Sequence, residues 1–287
     1  MPSDRSTEVS KGRFFQVEID MKFAFKSIVI ATAFVAAGTA GAATLTAGDM
    51  TQSVDGMYLV EGSGALTFSQ TLIDALNTGG VEVIAAAPAT SNIIGLPGEY
   101  TAVGVAAPVT QVEVGAGGEV LTATSVGGAT QIAGAVKGVS YGGTISVTNL
   151  KIDMVNKNIY ADFVGAGKNS AGATVNVNAT NVLAWSFTDI AGPTSLTTAG
   201  TFDTTLSGLA LTTEGFNNLK AGLGLYSIGL IALQGASADF GTMSLSLYTG
   251  FPPILPPPIP SIPEPSTYAL MGLGLVGLAL ARRRAAK

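Results

Sequence analysis

The alternation of apolar and polar residues over positions 143–154 is the feature that most limits what this chain can fold into. It follows the two-residue period of a strand that is buried on one face only. The turn-forming residues 156–158 come next, and residues 159–164 then alternate again. The pattern predicts an antiparallel β-hairpin, with one strand on each side of a tight turn.

Shorter stretches of the same kind predict further strands along the chain. They are residues 81–84, 109–114, 174–178, 183–188, 200–206 and 241–248. Many short strands separated by glycine-rich turns are typical of closed or two-layered β structures. We therefore expect a mainly β fold, an antiparallel β-sandwich or barrel-like domain over residues 43–250.

Two segments break the alternation and predict short helices, residues 67–77 and residues 212–221. Each begins with a threonine that can cap a helix and ends at glycine. Each follows a Gly…Leu-Thr sequence and precedes a strand-like run. This similarity suggests an internal duplication around 64–84 and 208–228, with coincidence in a biased composition as the alternative. This Leu-Thr-helix-Gly unit resembles one found in exported bacterial β domains, some of which are associated with haem-uptake surface domains. The resemblance implies no site residues in this chain.

The charge balance of the central part disfavours nucleic acid and anionic membranes as partners. Residues 43–261 contain five Lys, no Arg, eight Asp and six Glu, so the net charge is 5 − 14 = −9, against −5 for the whole chain. Such a domain is poorly suited to nucleic acid or to anionic membrane surfaces. The low charge of this part, and a mean hydropathy of +0.45 for the whole chain, also argue against a disordered chain.

The chain has no His and no Cys, which excludes disulfides and the common nucleophile–base pairs. We therefore predict a protein that is not an enzyme, with no catalytic residues, no metal site and no cofactor. One alternative remains for catalysis: Asp153 and Asp162, on opposite arms of the hairpin, could form the carboxylate pair of a glycoside hydrolase.

Two binding sites also remain open as alternatives. Asp153, Asn156 and Asn158 offer oxygen ligands of the kind that calcium prefers. Trp185, the only tryptophan, could form a sugar-stacking platform with Tyr160 if it were exposed, although a single tryptophan in a strand is more often core.

The N-terminal region predicts export. A basic start at Met21 and an apolar run over 28–37 precede small residues at Ala40 and Ala42, which occupy positions −3 and −1 of a signal peptidase site. Residues 21–42 are thus predicted to be a signal peptide for the Sec translocon, cleaved after Ala42. Residues 1–20 are polar and patternless, a leader that does not look native and that suggests a misassigned start.

The C-terminal region contains a second, three-part signal. A proline-rich spacer, residues 251–262, is expected to be stiff and extended, although it could instead dock a proline-reading domain. An acidic turn, an uncharged hydrophobic helix over 268–281 and a basic end follow. The predicted fold thus adds an N-terminal signal helix and this C-terminal helix to the β domain. The key residues are Pro263, Glu264, Pro265, Arg282, Arg283 and Arg284.

This tail, residues 263–287, resembles the PEP-CTERM sorting domain of exported proteins of Gram-negative bacteria. The resemblance implies recognition by an exosortase, transient insertion of 268–281 into the inner membrane, and cleavage near Pro-Glu-Pro. The mature protein would then reach the cell surface or the medium. The alternative is a plain membrane anchor, which has no need of the Pro-Glu-Pro element.

Three classes of function follow from the sequence. The first, which we expect, is a non-catalytic surface or extracellular-matrix protein, associated with exopolysaccharide in a biofilm or floc. The second is an adhesin or binding module for carbohydrate or another ligand. The third is a secreted hydrolase that uses carboxylates alone.

Overall fold

The computed structural model describes residues 42–253, and these form a mainly β structure. Strands make up 56% of it; they pair antiparallel and curl into a half-barrel accompanied by three helices. The expected mainly β class is confirmed, and the barrel-like alternative is the nearer one. The sandwich alternative is wrong because a single curled sheet, rather than two stacked sheets, encloses the core.

Fourteen strands build this sheet, and most are short. Their bounds are β1 (Ala43–Thr46), β2 (Tyr58–Phe68), β3 (Glu82–Ala86), β4 (Thr90–Ile94), β5 (Ala102–Val114), β6 (Val120–Ser125), β7 (Gly128–Val136), β8 (Ser140–Asp153), β9 (Asn158–Lys168), β10 (Thr174–Ser186), β11 (Asp189–Ala191), β12 (Gly200–Ser207), β13 (Ala210–Leu211) and β14 (Gly241–Gly250). The main path of neighbours is β11-β12-β14-β2-β5-β6-β8-β9-β10-β13.

Strand β5 produces much of the curl because its two halves pair with different neighbours. Residues 102–108 pair with β2 and β4, whereas residues 109–114 pair with β1 and β6. Register shifts interrupt the β5–β6 ladder at two places, and such irregularities increase local twist. The sheet therefore turns at β5 and brings its inner face around a common core.

The hairpin predicted from the alternation is present as β8 and β9. Asp153 pairs with Asn158 next to the turn, and Gly143 pairs with Gly167 at the far end. Lys157 takes a positive φ of 55° in the turn, as tight turns often require. The residues predicted for two strands, 174–178 and 183–188, instead belong largely to one strand, β10, with register shifts near its middle.

Two of the three helices were predicted, α1 (Gln70–Gly79) and α2 (Thr213–Leu223). Thr212 caps α2 as expected, accepting a hydrogen bond from Gly215 N at 3.1 Å. For α1 the expected cap Thr67 is wrong: Thr67 lies in β2, and Ser69 accepts from Leu72 N at 3.1 Å. Gly80 and Gly224 end the two helices in the left-handed conformation.

The third helix, α3 (Ile228–Ala236), was not predicted. It follows α2 directly, so the strand-like run expected after the second helix is wrong. The elements that follow the two predicted helices thus differ, with β3 after α1 and α3 after α2, and the duplication stays a prediction. No helix within residues 42–253 is both long and apolar enough to span a membrane.

The core lies on the concave side of the sheet, where the three helices cover it. A row of aromatic rings crosses it, with centroid separations of 6.5 Å for Phe163 and Trp185, 5.4 Å for Trp185 and Phe240, and 6.2 Å for Phe240 and Phe68. Helices contribute leucines and an isoleucine to the same cluster: Leu72, Ile73, Leu76, Leu219, Leu223 and Leu233. This filled interior leaves the outer face and the two ends of the half-barrel for function.

Candidate functional site

Both ends of the described chain leave the domain at one end of the half-barrel. Ala43 pairs with Val114 at the end of β5, and Gly250 pairs with Tyr58 at the start of β2. Because β2 and β5 run antiparallel, the start of one and the end of the other lie on the same side. We call this region, marked by Ala43 and Gly250, the tether end. Acidic residues surround it: Asp49, Asp55, Glu113 and Glu119.

The predicted sorting and cleavage residues lie almost entirely outside the described residues. Ala40 precedes them, and Ala42 is the first described residue and is exposed. The C-terminal group lies beyond residue 253 and comprises Pro263, Glu264, Pro265, Arg282, Arg283 and Arg284. The signal peptidase and exosortase sites therefore stay predictions from the sequence, and both connect to the tether end.

The side chain of Asp153 stabilises the turn between β8 and β9. Its carboxylate accepts hydrogen bonds from Asn156 N at 2.8 Å, Val155 N at 3.1 Å and Asn156 Nδ2 at 2.8 Å. Both oxygens are thus occupied by donors of the same turn, which removes the support for a calcium site there. Within residues 42–253, no group of three or more acidic residues is placed to hold a metal ion.

Asp162 is held apart from Asp153 and has its own partners. Asn181 N donates to one carboxylate oxygen at 2.8 Å, and Asn149 Nδ2 donates to the other at 3.0 Å. Asp153 pairs with Asn158, four residues from Asp162 along β9, which is about 13 Å of strand. Carboxylates of a glycosidase stand closer, about 5–9.5 Å apart. The alternative in which these two aspartates form a catalytic pair is therefore not supported.

The turn gives a pH-dependent prediction for Asp153. Burial raises the pKa of its carboxyl, but hydrogen bonds from Asn156 and Val155 and the charge of Lys151 outweigh burial and lower the pKa below 3.8. Its stabilising effect is then present above pH 3.8 and is lost as the pH falls through the lowered value. We expect Asp153→Ala to lower the free energy of unfolding by about 1 kcal/mol at pH 7.

Urea denaturation at pH 7 and at pH 3 measures this effect. The difference between wild type and Asp153→Ala should shrink at the lower pH. Asp203→Ala, at an exposed position of β12, is the control and should change little at either pH. If Asp153→Ala lowers the free energy of unfolding equally at both pH values, the stabilising effect of Asp153 does not depend on its charge, which would contradict the prediction.

Trp185 is a core residue, as the more common interpretation predicted. Its side chain is 3% exposed, and it lies opposite Ile159 in β9. Tyr160, the next residue along β9, points to the other face because strand residues alternate. The two rings therefore cannot form one sugar platform, and that alternative is wrong.

A small apolar cavity adjoins Trp185 inside the half-barrel. Its volume is about 50 Å³, and its lining includes Val105, Val147, Phe240 and Met243. Among the described residues, Trp185 Nε1 is the buried side-chain polar atom that lacks a hydrogen-bond partner. Ligand pockets usually measure about 300–1,000 Å³, so this space is suited to water-sized occupants only.

Three lysines that no sequence pattern singles out lie on neighbouring elements at the end opposite the tethers. Leu225 N donates to Lys220 O at 3.0 Å, just after α2. A Cβ atom on Gly224 would lie 3.2 Å from Lys168 N. The end of β9, which carries Lys168, therefore contacts the end of α2, which carries Lys220. Both lysine side chains are exposed.

The hairpin between β7 and β8 adds a third exposed lysine, Lys137, and an aromatic pair. Tyr226 Oη accepts a hydrogen bond from Gly138 N, and Tyr226 N donates to Val139 O at 2.9 Å. Tyr141 stacks on Tyr226 with ring centroids 4.0 Å apart and an angle of 11° between planes. We call this surface the basic corner; its residues are Lys137, Lys168, Lys220, Tyr141 and Tyr226.

Comparison with known protein families assigns the C-terminal tail. Residues 261–284 match the model of the PEP-CTERM protein-sorting motif, in agreement with the resemblance drawn from Pro263 to Arg284. The motif implies export, processing by exosortase and sorting to the cell surface. It covers the tail only and leaves the role of the β domain open. No curated protein matches the chain.

Two solved structures resemble the β domain. The C-terminal domain of HtaA from Corynebacterium glutamicum is 12% identical, with a TM-score of 0.39, covering 67% of this chain and 98% of its own. The heme binding protein HtaB from the same organism is also 12% identical, with a TM-score of 0.39, covering 68% and 96%. A likeness this distant supports no conclusion about a ligand of the present chain.

Proposed function

We propose that this chain is an exported, exosortase-processed, non-catalytic protein of the cell surface or extracellular matrix, associated with exopolysaccharide in biofilms or flocs. The observation that carries the proposal is the sorting motif at residues 261–284. It follows a β domain over 43–250 whose two ends emerge together, so one end of the folded domain connects to both export signals.

The chemistry of the domain supports a non-catalytic role. The sequence offers neither His nor Cys, and the two aspartates considered for catalysis each hold a local turn or bulge in place. Exposed positions along the long strands carry Thr, Ser and Asn, as in Thr242 and Ser244 of β14. A surface of uncharged polar side chains is suited to contact with hydrated glycans through hydrogen bonds.

Processing by exosortase tests the proposal directly. The chain from Met21 is expressed in a host with an exosortase and in a matched strain that lacks the enzyme. Intact mass spectrometry should show a product that starts near Ala43 and ends near Pro263–Pro265, outside the inner membrane, in the first strain only. A full-length C-terminus retained in the membrane of both strains would indicate a plain anchor.

A matched pair of variants refines the test. Glu264→Ala removes the acidic residue between the two prolines and should reduce the processed fraction at least about tenfold, because the extended Pro-Glu-Pro element loses its charge. Glu82→Ala removes an exposed acidic residue of β3 and should be processed like wild type. Equal processing of both variants would contradict recognition of Pro-Glu-Pro.

A further inference from the structure

We infer that the basic corner is a docking surface for an acidic polysaccharide, one that carries carboxylate groups such as uronates. The inference rests on the proposed function for its setting, since it names a partner within an exopolysaccharide matrix. The location of the docking surface comes from the structure, because only the fold places Lys137, Lys168 and Lys220 on neighbouring elements.

The charge distribution selects this surface. The domain has only five lysines and no arginine against 14 acidic residues between positions 43 and 253. Three of the five lysines lie at the basic corner. The other two, Lys151 and Lys157, lie in the half of the β8–β9 hairpin nearer the tether end, where acidic residues outnumber them. A polyanion is repelled by most of such a surface and is attracted where cations are concentrated. The basic corner is therefore where a negatively charged polymer can approach.

Apolar and aromatic groups beside the lysines favour a sugar polymer. Tyr141 and Tyr226 are half-buried and stack on each other, and the part of the rings that stays exposed is of the kind that packs against the C–H face of a pyranose. Ile228 and Ile231 of α3 extend this apolar surface and are 52% and 71% exposed. Ammonium groups around a flat apolar surface match a glycan that combines carboxylates with apolar sugar faces.

The backbone at the basic corner is held in a costly conformation. Ser227 has φ 43° and ψ −112°, a region that usually requires glycine. Gly229 N donates to Tyr226 O at 2.9 Å, which closes a tight turn around Ser227. Such a conformation persists only where neighbouring contacts hold it, and here Tyr226 N donates to Val139 O and Ile228 N to Gly138 O, each at 2.9 Å. These bonds fix Tyr226 and Ile228 on either side of the turn, so the surface is preorganised before any partner arrives.

The position of the basic corner favours a glycan over a lipid surface. Strand β8 runs from Ser140 at the corner to Asp153, and 13 steps along a strand span roughly 40 Å. Asp153 pairs with Thr122 of β6, and the same strand reaches the tether end, where Val120 pairs with Val114. Both membrane-directed segments thus leave from the side opposite the lysines, and the corner faces away from their attachment.

Binding to polygalacturonate tests the inference. The protein is purified in the form that its host accumulates, processed or intact, so the outcome does not depend on exosortase. Affinity is measured at about 20 mM and 200 mM NaCl, with dextran as the neutral polymer; we expect binding to polygalacturonate alone, weaker at high salt. Binding without processing would overturn the proposed function only, and processing without binding would overturn this inference only.

Paired lysine variants locate the site. Lys137→Ala/Lys168→Ala should weaken binding at least about tenfold, because two cations are lost from the corner. Lys151→Ala/Lys157→Ala removes the same charge from the other half of the β8–β9 hairpin and should change affinity less than about twofold. Circular dichroism confirms that both variants are folded. Equal losses for the two double variants would overturn the inference.

Anionic vesicles test the alternative that the basic corner binds a membrane surface. Vesicles of phosphatidylglycerol and phosphatidylethanolamine are offered to the same proteins under the same salt conditions. We expect no lysine-dependent binding to them. Binding that needs Lys137 and Lys168 and that occurs with the vesicles but not with polygalacturonate would overturn the glycan assignment in favour of a membrane surface.

Discussion

Gly167→Val is expected to lower the free energy of unfolding by about 3 kcal/mol or more, because it separates helix α2 from the sheet. A Cβ atom on Gly167 would overlap Ala221 O and would lie 2.7 Å from Gly224 N. Both obstacles are backbone atoms of the end of α2, which cannot rotate away as a side chain can. The helix would have to move, and its leucines would leave the core.

Thermal and urea unfolding of Gly167→Val measure this effect, with Gly134→Val as the control. Gly134 lies in β7, and an added Cβ meets no atom within 4 Å. Valine is favoured in strands, so the control should unfold close to wild type. Similar destabilisation by both substitutions would mean that the close approach of α2 does not depend on Gly167.

Trp185→Ala is expected to cost about 3–5 kcal/mol of unfolding free energy, as is typical when a buried aromatic ring is removed. Trp185 packs between Phe163 and Phe240 and borders the existing cavity, which the substitution would enlarge. Trp185→Phe should cost much less, about 1 kcal/mol or below. It keeps most of the ring and removes an indole N–H that has no partner within the described part of the chain.

Denaturant titrations followed by far-ultraviolet circular dichroism compare the two Trp185 variants, with Tyr248→Ala as an exposed control. In the wild type, the emission of this single tryptophan should shift to longer wavelength on unfolding, because its ring moves from the core to water. A cost for Trp185→Phe as large as that for Trp185→Ala would show that the indole N–H is hydrogen-bonded, for example by water in the cavity.

Local signals in the sequence identified much of the secondary structure. The β8–β9 hairpin was predictable because alternation and turn residues agree over 143–164. Helix α2 was predictable from Thr212 at its start and glycine near its end. The start of α1 was displaced because Thr67 and Ser69 are both plausible caps, and only the pairing of Thr67 with Thr242 in β14 decides between them.

The features that the sequence did not reveal depend on tertiary contacts. Helix α3 has no polar face to give a helical period, and the side chain of Ser227, which precedes it, accepts no capping hydrogen bond. The strand β10 was divided in two because Asn181 takes a positive φ of 52° at a bulge. A sheet that curls at β5 and a stacked sandwich have the same alternation, so periodicity alone cannot separate them.

The basic corner illustrates the same limit for function. Lys137, Lys168 and Lys220 are separated by 31 and 52 positions, and each is an ordinary surface residue when taken alone. Only the pairing of β8 with β9 and the packing of α2 on both bring them to one surface. The sorting signal is the opposite case, because all its parts are contiguous and the family comparison recovers it from the sequence.

The place of β14 in the sheet has a consequence for the timing of export. This strand, the last of the domain, lies between β2 and β12, and Gly241 pairs with Phe68 from far earlier in the chain. A chain that crosses a membrane from its N-terminus cannot close this core until β14 has emerged. Only 12 residues then separate Gly250 from Pro263. In a chain exported as proposed, the domain would complete its folding at about the time its sorting motif becomes accessible, which would couple maturation of the fold to processing by exosortase.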